Sequence, residues 1–380
     1  MPRFQLDLAA TYHQVANLLA IVGRLSEAES VYRLALDVYS TLAQSMAEIP
    51  SVRLELAAGH SDLGSFYVAK GRFSDAETEL RESLKLLRSL EKDFPEFTQA
   101  RMELAKALDR LCWIYQNTGR PAEAEKTLPI ALALAERLSA ESPANPDCRR
   151  LVAQLLFRKG ERLAAGRQTQ QAIASLSKGL TLQAKLADAL SAIPEIRREL
   201  ARSLNLLGCL LTKEGKKPEA ANTFAQVHQL YEKLIEDASG APSYYQEYSW
   251  FLAACPDESF RNPPLGLAMA ERAVTLGPEQ GECWSALGVA HYRMRNWKKA
   301  EAAFQKSIQL RNGGACADWL FLAMTCRQQG DQEQTRRWMD QALAWIEQNR
   351  PVAEELTRFC EEVNRVMLTD NHKPAAGGGQ

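Results

Sequence analysis

The sequence predicts an all-α solenoid of about eight stacked helix pairs, followed by one further helix at the C-terminal end. Three observations carry this prediction: a short motif that recurs at constant spacing, a helical apolar stripe before each copy, and a glycine turn within each unit. The motif Gly-Arg-Leu-Ser-Glu-Ala-Glu at 23–29 returns, with changes, at 71–77 and 119–125. Its anchoring alanine recurs every 48 residues, at Ala28, Ala76, Ala124, Ala172 and Ala220. A fixed period of this size is typical of stacked units, because each unit buries its apolar face only against its neighbours.

The first helix of each unit is predicted from its apolar stripe. In the second unit, residues Val52–Lys70 place apolar or small side chains at helical spacing, at positions Leu56, Ala57, His60, Leu63, Gly64 and Tyr67. These intervals follow the i, i+3, i+4, i+7 pattern of a helix with one buried face. The same offsets recur in the first and fifth units, so we expect every unit to open with a helix.

The second helix of each unit follows the glycine turn. Gly71 suits the end of a helix because glycine adopts positive φ without strain, and Ser74 is predicted to cap the next helix with Glu77 three residues later. That helix runs through Ala76, Leu80, Leu84, Leu87 and Leu90 and stops before Pro95. The period predicts helices of roughly 18 to 20 residues, because two helices and two turns must fill it.

A small residue in the first helix lets the two helices of a pair approach closely. Gly64 holds this position in the second unit, and Cys112 and Cys209 are interpreted as its equivalents. The fourth unit departs from the pattern, because it places Lys159 and Arg162 at normally apolar positions and needs one inserted residue near Gly166. Either this unit is a flexible joint or its register is misplaced.

The period changes in the last third of the chain. Trp284 and Trp319 stand 35 residues apart at equivalent repeat positions. We therefore expect five long helix pairs over 1–240, three shorter pairs over 241–350, a capping helix over 351–368 and a disordered tail over 369–380.

Composition excludes several classes of function. The chain holds 46 Lys and Arg residues against 47 Asp and Glu residues, so it offers no general basic field for nucleic acid or for a membrane surface. No apolar run approaches the roughly 18 to 20 residues that a membrane span needs, and no signal peptide is evident. The eight scattered cysteines predict reduced thiols rather than disulfides or a metal site. We expect a cytoplasmic protein without a cofactor.

The helix pair with its small contact residues resembles the tetratricopeptide repeat, in a variant longer than the usual unit of about 34 residues. This resemblance implies a right-handed superhelix whose first helices line a concave groove for protein or peptide partners. By register, the residues expected in the groove are His13, Asn17, Ser61, Ser65, Asp109, Trp113, Gln116, Asn117, Arg202, Asn205, Lys213, Tyr292, Arg293 and Arg327, together with Lys106, Gln154, Glu161, Thr212 and Glu282.

Trp113 is the sharpest of these candidates, because an aromatic side chain beside amides can anchor a peptide. Packing against the neighbouring unit is the alternative for this residue. The cationic clamp by which some tetratricopeptide proteins hold a C-terminal carboxylate is not matched, since the first units offer His13, Ser61 and Asp62 instead.

The last third also resembles the C-terminal arrays of large bacterial serine/threonine kinases and of related proteins with WD40 repeats. The resemblance rests on Trp-Phe-Leu-Ala-Ala-Cys-Pro-Asp at 250–257, Trp-Ser-Ala-Leu-Gly-Val-Ala at 284–290 and Asp-Trp-Leu-Phe-Leu-Ala-Met at 318–324. The phosphate-binding loop, catalytic loop and metal-binding motif of a kinase are not found in the sequence. The chain is thus expected to be either a non-catalytic scaffold or a regulatory fragment of such a kinase.

No catalytic residue is predicted. His60 with Asp62 would be the obvious acid-base pair, but residues two apart on a helix point to different faces. Because the first residues fall directly on a repeat boundary, we expect an uncapped N-terminal repeat around Leu8 and Leu19 that allows self-association.

Overall fold

The computed structural model describes residues 2–349 and 353–368, apart from the side chains at positions 2, 3 and 21. Throughout this part of the chain every regular element is helical, with seventeen α-helices and one 3₁₀ turn at Glu258–Phe260. The predicted all-α fold class, with eight helix pairs followed by one helix, is confirmed. The predicted disordered tail at 369–380 lies outside the described residues.

The first ten helices alternate between two lengths, with 20 residues in each first helix and 21 in each second helix. They are α1 (Pro2–Ile21), α2 (Leu25–Ser45), α3 (Pro50–Ala69), α4 (Phe73–Asp93), α5 (Thr98–Asn117), α6 (Pro121–Glu141), α7 (Pro146–Ala165), α8 (Thr169–Ala189), α9 (Pro194–Lys213) and α10 (Lys217–Asp237). The remaining helices are shorter: α11 (Pro242–Ala254), α12 (Pro263–Leu276), α13 (Gly281–Arg293), α14 (Trp297–Leu310), α15 (Cys316–Gln329), α16 (Gln332–Gln348) and α17 (Glu354–Leu368).

The chain forms two compact units, Met1–Leu155 and Leu156–Gln380. Within each unit the two helices of a pair pack together, and the second helix of one pair packs against the first helix of the next. Neighbouring first helices also touch, as α1, α3 and α5 do in the first unit and α11, α13 and α15 do in the second. This stacking leaves the first helices of successive pairs side by side on one face of each unit.

Close approach of paired helices depends on the small residue of the first helix. A Cβ atom at Gly64 would lie 3.1 Å from Leu80 Cγ, and one at Gly160 would lie 2.7 Å from Leu176 Cγ. Gly208 faces Phe224 in the same way in the fifth pair. The interpretation of Cys209 as the Gly64 equivalent is therefore wrong by one position, and Gly208 fills that role.

The predicted insertion near Gly166 is also wrong, and the register error is the correct explanation. The turn position has positive φ in Gly23, Gly71, Gly119 and Gly215, and in the fourth pair Arg167 takes it with φ of 59°. Gly160, Leu163 and Ala164 are buried at the regular offsets, while Lys159 and Arg162 are only half-buried. The 48-residue period thus runs through this pair without interruption, and an arginine occupies the turn position that glycine holds elsewhere.

The start of the second helix differs from the prediction as well. Helix α4 begins at Phe73, and Ser74 lies inside its first turn without capping it. Instead, Arg72 Nε lies 2.6 Å from Asp75 Oδ2, in the first turn. Arg72 also reaches Glu29 of the preceding pair, with 2.7 Å between its guanidinium and Glu29 Oε2. The recurring arginine therefore ties neighbouring repeats together, which a serine cap could not do.

Candidate functional site

In the first unit, a polar network joins the first helices. His13 Nε2 of α1 lies 3.0 Å from Asp62 Oδ2 of α3, and Arg110 of α5 lies 4.0 Å from the other oxygen of that carboxylate. Arg110 also donates a hydrogen bond to the Ser61 hydroxyl, and Ser61 itself is buried. The face that the sequence assigns to partner binding is thus built from paired polar groups that span three helices.

Two further predicted residues of this face make local hydrogen bonds. Asn17 is exposed, and its Oδ1 accepts a hydrogen bond from the Tyr32 hydroxyl of α2. Ser65 is half-buried and donates to the Ser61 carbonyl oxygen at 3.0 Å.

Trp113 lies half-buried on α5, and its ring centroid is 6.1 Å from that of Phe73, the first residue of α4. One turn later, Asn117 is exposed, and its amide nitrogen donates to the Trp113 carbonyl oxygen at 2.8 Å. Asp109 and Gln116 are half-buried on the same helix. Trp113 therefore packs against a neighbouring helix and still exposes part of its ring.

In the second unit, residues of the first helices and of α17 line an open cavity of about 660 Å³. Three predicted groove residues, Arg202, Asn205 and Lys213, line this cavity, and Glu161, Thr212 and Glu282 line it as well. Sequence reasoning missed two lining residues, because it interpreted Cys209 as a helix-packing residue and gave Trp250 no role in the groove. Cys209 lies one residue after Gly208, and Trp250 lies on the groove side of α11. Only the correct register reveals these two positions.

Helix α17 lies along this same face. Lys213 Nζ of α9 is 2.7 Å from Glu354 Oε2, and the Trp250 indole N–H of α11 donates to Glu355 Oε1 at 2.7 Å. The side chain of Phe359 is 1% exposed, with its ring centroid 5.0 Å from that of Phe321 on α15. The C-terminal helix thus contacts the first helices of several successive pairs. The assignment of 351–368 as an end cap stays a prediction.

The central polar contact of α17 is with Arg293 of α13. Both guanidinium NH groups of Arg293 donate to the Glu362 carboxylate, with 2.9 Å from Nη2 to Oε2, and its Nε donates to the Ala253 carbonyl oxygen. Burial by itself would raise the pKa of Glu362, but the bidentate contact with Arg293 outweighs it and holds that pKa below the usual range.

Tyr292 requires a correction. Its side chain is 7% exposed, packs against Trp297 and Phe321, and donates to Met324 Sδ. It is therefore a core residue rather than an open groove residue, because the aromatic side chain turns inward between neighbouring helices. Arg327 of α15 is half-buried.

The described residues contain no group of His, Cys, Asp or Glu side chains that could hold a metal ion. Burial raises the pKa of Cys209 to about 11 and that of Cys283 to about 11, which keeps both thiols protonated near neutral pH. His60 lies 2.7 Å from Glu79 and does not pair with Asp62. Among the described helices, none is long and apolar enough to cross a membrane.

Comparison with known proteins supports this description of the repeats. Residues 8–43 and 281–313 each match a model of the tetratricopeptide repeat. No curated protein matches the chain. The apo form of RapI is 14% identical, with a TM-score of 0.52 over 80% of this chain and 97% of that chain.

Two other solved structures overlap at lower scores. BtubC from P. vanneervenii is 14% identical, with a TM-score of 0.36 over 81% of this chain and 97% of that chain. MamA from Desulfovibrio magneticus RS-1 is 16% identical, with a TM-score of 0.33 over 51% of this chain and 94% of that chain. The likeness to RapI supports the fold assignment. Two segments of the chain thus match the tetratricopeptide repeat, within an all-α fold of paired helices.

Proposed function

We propose that this chain is a non-catalytic scaffold for protein or peptide partners, and that the first helices of its repeats carry the binding surface. Stacked helix pairs present their first helices side by side, which creates an extended surface rather than a closed reaction chamber. We further propose that the protein acts in the cytoplasm. Nucleic acid and membrane lipid are not proposed as partners, because cationic and anionic residues are nearly balanced.

The observation that carries this proposal is the surface around Trp113 in the first unit. A half-buried aromatic ring lies on the same helix as the exposed amide of Asn117 and as Arg110, whose guanidinium is 4.0 Å from Asp62 of the neighbouring helix α3. Partly exposed aromatic side chains supply much of the binding free energy at protein interfaces, and adjacent amides supply hydrogen bonds to a peptide backbone.

The experiment is a pull-down with the complete chain, followed by substitution of this surface. Trp113→Ala together with Asn117→Ala should weaken capture of the recovered partner about tenfold or more, since aromatic anchors often contribute about 2 kcal/mol. The matched control is Glu82→Ala with Lys85→Ala on α4, where the two side chains are 51% and 78% exposed. Loss of capture in the control pair but not in the Trp113 pair would place binding on the second helices and contradict the proposal.

A second candidate follows from the sequence words at 250–257, 284–290 and 318–324, which resemble arrays attached to bacterial serine/threonine kinases. Under this alternative, the chain is a regulatory fragment that binds partners for a kinase domain encoded with it. Sequencing the reading frame upstream of Met1 tests it, because an in-frame kinase domain would support the alternative and an unrelated frame would remove it. Phe4 and Leu18 of α1 are exposed, as is Val22 directly after it, and this surface remains our candidate for self-association.

A further inference from the structure

Helix α17 packs on the first-helix face of the second unit through a single apolar stripe. The apolar residues of α17 follow helical spacing, and all of them pack into one hydrophobic cluster. These residues are Leu356, Phe359, Cys360, Val363, Val366 and Met367. Phe359 and Val363, one turn apart, are 1% and 0% exposed. Their partners come from α11, α13 and α15 and include Ala253, Val289 and Phe321. This is the arrangement by which an amphipathic helix occupies a groove.

Charge complementarity fixes the orientation of α17 in this groove. The groove supplies one donor from each of three successive first helices, namely Lys213, Trp250 and Arg293. Each donor meets a different glutamate of α17, in the same order along both elements: Glu354, Glu355 and Glu362. Three ordered charge-assisted contacts on an apolar floor define what this surface recognises, which is an acidic helix with aromatic and aliphatic anchors.

The contact between α17 and the groove is also of a kind in which another helix can replace α17. Helix α17 has 15 residues, and an isolated helix of that length is marginal in water, so its order depends on the groove. Because α17 belongs to the same chain, its effective concentration at the groove is high, and this favours α17 over a separate helix. A separate helix could still make the same contacts with the groove.

We propose that α17 is an internal occupant of a helix-docking groove in the second unit, and that an acidic amphipathic helix of a partner protein, with an aromatic residue and an aliphatic residue four positions later, binds there by displacing it. This inference rests on the proposed scaffold function and specifies its partner chemistry and its regulation. The ligand chemistry is read from Phe359, Val363 and their flanking glutamates.

The test uses the full chain and a fluorescein-labelled peptide with the sequence of residues 353–368. An opened variant carries Phe359→Ser with Glu362→Gln, which removes an anchor and the Arg293 partner from α17 and leaves the groove unchanged. Fluorescence anisotropy should show peptide binding to the opened variant at least about tenfold tighter than to the wild-type chain, in which α17 competes. Equal affinity for the two chains would overturn the displacement model.

Three further protein variants and one altered peptide keep the test decisive. In the opened chain, Lys213→Glu should weaken peptide binding, and a peptide with Glu354→Lys should recover it, whereas Lys233→Glu on the exposed face of α10 should change nothing. A milder opened variant, Glu355→Gln with Glu362→Gln, retains Phe359 and guards against misfolding. If both opened variants lose more helicity by circular dichroism than the 15 residues of α17 account for, α17 belongs to the obligatory core and the proposal is wrong.

The experiments distinguish failure of the α17 displacement proposal from failure of the proposed scaffold function. If the folded opened variants do not bind the peptide while the Trp113 substitutions still reduce partner capture, the scaffold function stands and the α17 inference falls. If the peptide binds but no partner depends on Trp113, the groove of the second unit is supported and the surface of the first unit is not.

Discussion

At the scale of single residues, the recurring arginine shows why the motif repeats. Arg120, the residue directly before α6, lies 2.9 Å from Glu123 of that helix and 2.6 Å from Glu77 of the preceding repeat, and its guanidinium stacks 4.5 Å from the Tyr115 ring centroid. One side chain thus connects two repeats and covers an aromatic residue. The sequence revealed the spacing of this arginine but not its partners, because Glu77 is 43 residues away and no local pattern marks it.

His291 provides a titratable probe of the second unit. It is 7% exposed on α13, and burial, with a smaller contribution from nearby Lys299, lowers its pKa from the ordinary value of 6.5. The unfolded chain therefore binds a proton more readily than the folded chain. The stability that neutral His291 contributes is complete above the unfolded pKa and is lost as pH falls through the folded pKa.

We therefore expect the melting temperature of the wild-type chain to fall as the pH drops below the ordinary histidine pKa of 6.5, and that of His291→Gln to fall less over the same range. His228→Gln is the matched control, since its side chain is 35% exposed beside Glu232. The measurement is thermal unfolding by circular dichroism. An equal pH dependence in wild type and His291→Gln would show that this histidine is not held neutral by burial.

At the scale of elements, the sequence predicted the helix pairs well because their packing is local. The stripe from Leu56 to Tyr67, the small residue at Gly64 and the turn at Gly71 all lie within one period, and the structure places each as expected. The fourth pair was harder to predict because Arg167 takes a backbone conformation that usually indicates glycine. The pattern of residue types in the sequence could not show that Arg167 adopts the positive φ of this turn.

Gly64→Leu should destabilise the first unit by about 1 to 3 kcal/mol, because a larger side chain must displace Leu80 and the Ala76 backbone oxygen. The control Lys85→Leu adds the same side chain to a position that is 78% exposed and should be nearly neutral. Urea unfolding gives both free energies. Similar losses in the two variants would contradict the packing register of α3 on α4.

At the scale of the whole molecule, the fold class followed from the period, whereas the occupied groove did not. Residues 354–368 read as one amphipathic helix in the sequence, but such a helix fits an end cap as well as a groove. The choice depends on contacts between Glu362 and Arg293, which are 69 residues apart, and between Glu354 and Lys213, which are 141 residues apart. Neither contact has a signature in local spacing, so only the tertiary structure reveals it.

The central claim, that the first helices carry the binding surface, is tested most directly by hydrogen-exchange mass spectrometry on the complete chain with and without the partner recovered by pull-down. Binding should slow amide exchange in α3 and α5 of the first unit, around Ser61 and Trp113, and leave α4 and α6 unchanged. New protection confined to α4 and α6, or to the exposed apolar face of α1 around Leu18, would contradict the claim.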